Sequence, residues 1–130
     1  MSAAENLAVV TAYAERWQAG DFANLFALYG DDFTLHYGGA HRLSGTHAGK
    51  DAALTAMAAF TAATGRKLEA VIDVMAGAAR AGLVVRESVA AGEGARVIER
   101  VFLYRIDGGL MRECWLYDAE QALIDRLVGT

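Results

Sequence analysis

The side chains best suited to chemistry in this 130-residue chain are His36, Arg100, Glu113 and Asp118. His36 lies in the run Phe33 to Tyr37, which reads as a short strand. Histidine titrates near neutrality, so His36 is a usable general base; a structural hydrogen bond or a place on an outer face is the alternative. Side chains alternate along a strand, so only one of His36 and Tyr37 points inward. Arg100 and Glu113 form the second candidate, either orienting a carboxylate or carbonyl of a ligand or closing a cross-strand ion pair. Asp118 stands before the run Ala119 to Leu127, a short terminal helix in expectation, which it is suited to cap. His36, His41 and His47 do not share a helix face, and no nearby cysteine or paired carboxylate completes a ligand set, so no metal site is expected. Cys114 has no evident base beside it and is not expected to act as a nucleophile.

These residues are positioned by the stretch Ala95 to Asp118. Two runs rich in Val, Ile, Phe, Tyr and Trp flank Asp107-Gly108-Gly109, a strong hairpin signal. A regular two-residue turn puts Ile98, Arg100, Phe102, Tyr104 and Ile106 on one face with Met111, Glu113, Trp115 and Tyr117. The other face takes Val97, Val101 and Leu103 with Leu110, Cys114, Leu116 and Asp118. Both are largely apolar, so one packs on the core and the other needs cover from helices or a second subunit. Rings mixed with an arginine and a glutamate suit a pocket wall.

Upstream, Ser2-Ala3-Ala4-Glu5 has capping-box spacing and opens a helix ending at Gly20, with Tyr13 and Trp17 one turn apart as core aromatics. Asp21 caps a second helix, Phe22 to Tyr29, and Gly30-Asp31-Asp32 is a turn. Gly38 to Gly49 is a polar, glycine-rich loop that reads as a pocket lip, since it lacks the phosphate-cradling pattern. A third helix runs from Lys50 to Ala63, with contacts from Leu54, Met57 and Phe60. Strands at Leu68 to Met75 and Gly82 to Ala91 follow, and Gly92-Glu93-Gly94 leads into the hairpin. Residues 1–130 are expected to form a single α+β domain. A net charge of -4 with no run of like charges argues against nucleic acid or an anionic membrane as partner. One cysteine excludes an internal disulfide and fits a reducing, cytoplasmic setting. No signal peptide or membrane-length apolar run is visible.

The order of elements, with Trp17-x-x-Gly20-Asp21, Leu28-Tyr29-x-Asp31-Asp32-Phe33, Leu43-Ser44-Gly45-Thr46-His47-x-Gly49-Lys50 and Gly109-Leu110-x-x-Glu113-x-Trp115-x-x-Asp118, resembles the NTF2-like superfamily and its SnoaL-like and ketosteroid-isomerase-like small enzymes. The resemblance implies an NTF2-like cone, with helices packed on the concave face of a bent antiparallel sheet around an apolar pocket, and a homodimer formed through the outer sheet face. Against the steroid isomerases, their oxyanion-binding tyrosine falls on Tyr13, their general base on Tyr37 and their second acid on Phe102. With one catalytic position of three retained, steroid isomerisation by that mechanism is not expected. The SnoaL-like cyclases resemble the closing strand more nearly, which implies an acid/base role for Asp118, although it sits one residue closer to Trp115 than their pattern. The resemblance implies a cofactor-free isomerase, cyclase or dehydratase acting on a small hydrophobic carbonyl-containing molecule. His36 or Asp118 would move the proton, and Tyr13, with Arg100, would steady an oxyanion. Trp17, Tyr37, Phe102, Glu113 and Trp115 would line the ligand site. The alternative is a non-catalytic binding or dimerisation module, favoured by the missing isomerase aspartates; the ionisable residues on a ring-lined face favour the enzyme.

Overall fold

A computed structural model describes residues 2–92 and 94–130; Glu93, in the expected Gly92-Glu93-Gly94 turn, lies outside the described residues. The elements are α1 (Ala3–Ala19), α2 (Phe22–Phe26), β1 (Tyr29–Tyr37), β2 (Gly45–His47), α3 (Lys50–Thr64), β3 (Lys67–Ala76), β4 (Ala81–Ala90), β5 (Ala95–Asp107), β6 (Leu110–Asp118) and α4 (Gln121–Val128). The strands form one sheet in the order β2-β1-β6-β5-β4-β3. Its pairs are antiparallel except β1 with β6, which run parallel. The inner sheet face and helices α1 and α3 enclose the core, centred on Phe33, Phe60, Tyr104 and Met111.

Local sequence explains most of the helix ends. Ser2 Oγ accepts from Glu5 N, and Glu5 Oε1 accepts from Ser2 N, both at 3.1 Å, so α1 opens on a complete capping box. Gly65, at φ 63°, stops α3 in the left-handed conformation and turns the chain so that β3 begins at Lys67 beside the helix.

Two expectations change upstream of the hairpin. The second helix ends at Phe26, and Tyr29 belongs to β1, as do Gly30, Asp31 and Asp32, which were expected to form a turn. The physical reason is the Tyr29 ring. It is buried, stacks on Phe33 at 4.1 Å between centroids, and meets Tyr13 on α1, while Leu28 O accepts from Met111 N to join the strand to β6. Asp21 makes no side-chain cap to α2; its carboxylate accepts from the Asn24 side chain instead.

The hairpin itself departs from regular parity. Gly108 and Gly109, both at positive φ, form a two-residue turn, and Ile106 pairs with Met111. Arg105 then pairs with Glu113, so Arg112 is an extra residue on β6, a β-bulge. Beyond it the faces of β6 exchange. Cys114, Leu116 and Asp118 join Arg100, Phe102 and Tyr104 inside, while Glu113, Trp115 and Tyr117 turn to the outer face. The expectation that Glu113 and Trp115 share a pocket wall with Arg100 and Phe102 is therefore corrected.

Candidate functional site

Between the helices and the inner sheet face lies an open cavity of about 910 Å3. Tyr13 and Trp17 from α1, Leu25 and Phe26 from α2, and Leu54 and Met57 from α3 form its helical side. Leu35 and Tyr37 from β1, Glu87 from β4, Phe102 and Tyr104 from β5, and Cys114 and Leu116 from β6 form its sheet side. Arg66 and Lys67 stand at the wall where α3 gives way to β3. The inward residue of the His36/Tyr37 pair is Tyr37, which is 5% exposed.

One part of this cavity carries three phenols. Tyr13 Oη and Tyr29 Oη are 2.5 Å apart, and the Tyr13 ring packs on Tyr104 at 5.2 Å between centroids. The Tyr104 hydroxyl lies close enough for Tyr13 to affect its proton affinity, yet it is buried and completes no hydrogen bond. Burial pushes the Tyr13 pKa up to about 12 and those of Tyr29 and Tyr104 well above 10.0. All three are neutral hydroxyls at physiological pH. Tyr13 and Tyr29 share one hydrogen bond, the Tyr29 hydroxyl also donates to Met57 Sδ at 3.9 Å, and the Tyr104 hydroxyl is sealed within the core without a partner.

A second polar group borders the cavity on β4 and β5. Arg100, 1% exposed, donates from Nε and Nη2 to the Asp118 carboxylate at 2.5 and 3.2 Å, and from Nη1 to Glu87 Oε1 at 2.9 Å. Burial alone would lower the Arg100 pKa, but the charges of Asp118 and Glu87 outweigh it and raise it. Arg66 extends the chain of charges, approaching Glu87 Oε1 at 3.5 Å and donating from Nε to Thr61 Oγ1 at 2.9 Å. Arg100, Glu87 and Asp118 join neighbouring strands through almost fully buried ions, and such a group is costly to break because it leaves one charge buried alone. Asp118 thus points inward but stands behind Arg100, outside the cavity lining, and it does not cap α4, whose N-cap is Glu120.

His36 lies on the other face of the sheet. Its Nε2 meets Glu113 Oε2 at 2.8 Å, its Nδ1 meets Thr46 Oγ1 at 3.0 Å, and its ring stacks on Trp115 at 5.2 Å between centroids. Glu113 also accepts from Arg105 Nε at 2.7 Å. Its pKa is lowered first by Arg105 and then by His36. The Arg80 guanidinium covers Trp115 at 4.0 Å. The expected Arg100–Glu113 pair is therefore replaced by two separate ionic groups, one on each face of the sheet, because the bulge at Arg112 reverses the parity between them. Among the described residues no group of three His, Cys, Asp or Glu side chains is arranged to hold a metal ion. Cys114 lines the cavity with its thiol pKa pushed up by burial to about 12, so it is not a thiolate at neutral pH.

Tyr13, Trp17, Tyr37 and Phe102 are brought together on the cavity wall; His36, Glu113 and Trp115 are not. Glu87, Arg66 and Tyr29 join the site without having been anticipated there, and Tyr104 joins it from the hairpin face expected to form the pocket wall. A signal for Glu87 exists in the sequence: it continues the alternating inward stripe of Leu83, Val85 and Val89, where a carboxylate is out of place. Tyr29 carries no comparable signal, since it fits the end of a helix as well as the start of a strand.

The SnoaL-like domain model matches residues 10–114. The chain superimposes with a TM-score of 0.85 on a protein of unknown function with a cystatin-like fold from Xanthomonas campestris, at 24% identity over 96% of this chain and 98% of that one. An NTF2-like protein from Burkholderia xenovorans LB400 gives 0.75 at 20% identity, over 99% of each chain. TerC, co-crystallised with polyporic acid, gives 0.77 at 14% identity, over 96% of this chain and 99% of TerC. At these identities the likeness is one of fold, and the fold is the NTF2-like α+β cone. No curated protein matches this chain in sequence.

Proposed function

We propose that this chain, which belongs to the SnoaL-like domain family, binds a small hydrophobic carbonyl-containing molecule in its cone and converts it by acid/base chemistry, as an isomerase, cyclase or dehydratase does. The observation that carries this reading is the Tyr13–Tyr29 hydroxyl pair on the wall of a cavity lined largely by rings and aliphatic side chains. Donors held in place in a desolvated site favour an oxygen on which negative charge develops. Tyr13 is the donor in this reading, Trp17, Tyr37 and Phe102 shape the ligand site, and Asp118 acts through Arg100 as a positioning group. That TerC was co-crystallised with polyporic acid supports an organic ligand for a cone of this fold. A binding module without turnover is the competing reading, favoured by the position of His36 away from the cavity.

Self-association through the outer sheet face belongs to the same proposal. Val97 and Tyr117 are 56% and 54% exposed there, and Met75 is 46% exposed. The two tryptophans report on the two faces separately. Titration with β-tetralone carrying a ring hydroxyl is expected to change Trp17 emission, so that W17F loses the signal and W115F keeps it. Dilution is expected to shift Trp115 emission instead. A ligand signal surviving in W17F counts against the cavity as the binding site, and a sedimentation coefficient of a monomer at all concentrations counts against the dimer. Saturable binding without any chemical change across a panel of such ketones would favour the binding module.

A further inference from the structure

Glu87 is 1% exposed, yet it lies on the cavity wall. Both of its arginine contacts fall on one oxygen: Arg100 Nη1 at 2.9 Å and Arg66 Nη1 at 3.5 Å reach Oε1. Oε2 accepts no hydrogen bond among the described residues, and it is not among the sealed side-chain atoms that lack a partner. It therefore faces the open space of the cavity. A glutamate kept only to neutralise Arg100 would gain by using both oxygens in the fork that Asp118 uses. Here one oxygen is spent on orientation and the other is left free.

Its surroundings suit proton transfer. The Phe60 ring is faced by Arg100 at 4.6 Å and Arg66 at 5.7 Å, and Tyr37 stacks on it at 4.9 Å. Tyr37, Arg66 and Arg100 thus pack around the buried Phe60 ring, behind the stretch of cavity wall that Tyr37, Arg66 and Glu87 line. The Tyr37 hydroxyl makes no hydrogen bond within the described protein and is likewise open to the cavity. It lies within electrostatic reach of Glu87, Arg66 and Arg100, and burial keeps it a neutral donor. Along β5 Arg100 is separated from the Tyr104 level by about 13 Å, counting four residues of strand rise.

We propose that Glu87 is the proton-transferring carboxylate of this cavity, acting on a carbon acid whose developing oxyanion is met by the Tyr37 hydroxyl, in place of the Tyr13 hydroxyl taken as the donor above. The assignment rests on the acid/base reading given above and supplies the base that His36 and Asp118 do not. In the step, Glu87 Oε2 takes a proton from the carbon next to the ligand carbonyl. The C–H electron pair becomes the enolate C=C bond, and the carbonyl π pair moves onto oxygen, which accepts from Tyr37. The proton now on Glu87 returns to the same or another carbon of the ligand, so the cycle needs no oxidant or co-reactant. The ligand class is accordingly a largely apolar ketone with a hydrogen on the carbon next to its carbonyl.

The test is hydrogen–deuterium exchange at the α-carbons of a hydroxylated β-tetralone in D2O, followed by NMR, together with its affinity from Trp17 emission. The wild-type protein is expected to accelerate exchange, and E87Q to lose about 100-fold of the rate or more, the range of a positioned general base, with affinity held within about 3-fold. Y37F is expected to slow exchange while keeping affinity. If E87Q does not fold, E87D carries the test, its carboxylate withdrawn by one methylene and its exchange about 10-fold slower or more. Binding without accelerated exchange in the wild type, or exchange in E87Q or E87D equal to wild type, overturns the Glu87 assignment and leaves the binding reading in place. Failure of the wild type to bind the ketone at all overturns the reading of the cavity itself, and the assignment with it.

Discussion

A buried hydroxyl with no partner costs a protein on the order of 1–3 kcal/mol, so the Tyr104 hydroxyl, sealed in the core, works against stability. Y104F removes only the unpartnered oxygen and leaves the ring that packs on Tyr13 and Phe102. It is expected to raise stability by about 1 kcal/mol in urea denaturation and to leave the affinity of a cavity ligand unchanged, since the sealed oxygen does not reach it. A variant that loses stability would mean that the hydroxyl is satisfied in the folded protein. Tyr13 and Trp17 were legible as candidates from their helical spacing. The role of Tyr104 was not, because the value of its hydroxyl depends on which neighbours fail to reach it.

At the scale of the element, the bulge at Arg112 decides which half of β6 faces the cavity. Arg112 itself is an ordinary surface residue, with Nη1 on Asp32 Oδ1 at 2.9 Å and Nε on the Asp107 carbonyl at 3.2 Å. R112A is therefore expected to cost less than about 1 kcal/mol. Deleting Arg112 is a different change: it removes the extra residue, makes the ladder regular between Ile106–Met111 and Arg105–Glu113, and leaves Cys114, Leu116 and Asp118 facing inward. Arg100 keeps Asp118, so the chain is expected to stay folded at a cost of about 0.5–3 kcal/mol. Denaturation curves of the two variants check both expectations. Unfolding of the deletion variant would show that β6 needs the extra residue to pair.

For the whole molecule, the relevant feature is that four of its five tyrosines, drawn from α1, β1 and β5, turn their hydroxyls into one interior. Burial raises Tyr13 and Tyr37 to about 12, and Tyr29 and Tyr104 well above 10.0. The unfolded chain ionises these groups from pH 10 upward, before the folded one does. The stability they carry is complete below pH 10 and is lost as pH rises toward the folded values. Phenolate absorbance of these four is expected to appear together with loss of tertiary structure, in one cooperative alkaline transition. Four independent titrations near pH 10 in a folded protein would contradict the closed packing of this core.

The sequence by itself determined the order of the elements apart from β2, which lies in the stretch Gly38 to Gly49 read as a loop, together with the capping box on α1, the stop at Gly65 and the turn at Gly108-Gly109, because each depends on contacts within a few residues. It also determined that Arg100, Phe102 and Tyr104 share the inner face, since alternation within a single strand needs no partner. Only the tertiary structure decided that β1 begins at Tyr29, that Tyr37 and not His36 faces the cavity, and that Arg100 pairs with Glu87 and Asp118 while Glu113 pairs with His36 and Arg105. Each of these is set by register between strands, and one extra residue in a ladder of period two reverses every side chain beyond it. The chemistry-bearing residue types were visible from the start; which of them meet across the sheet depended on where that one residue was inserted.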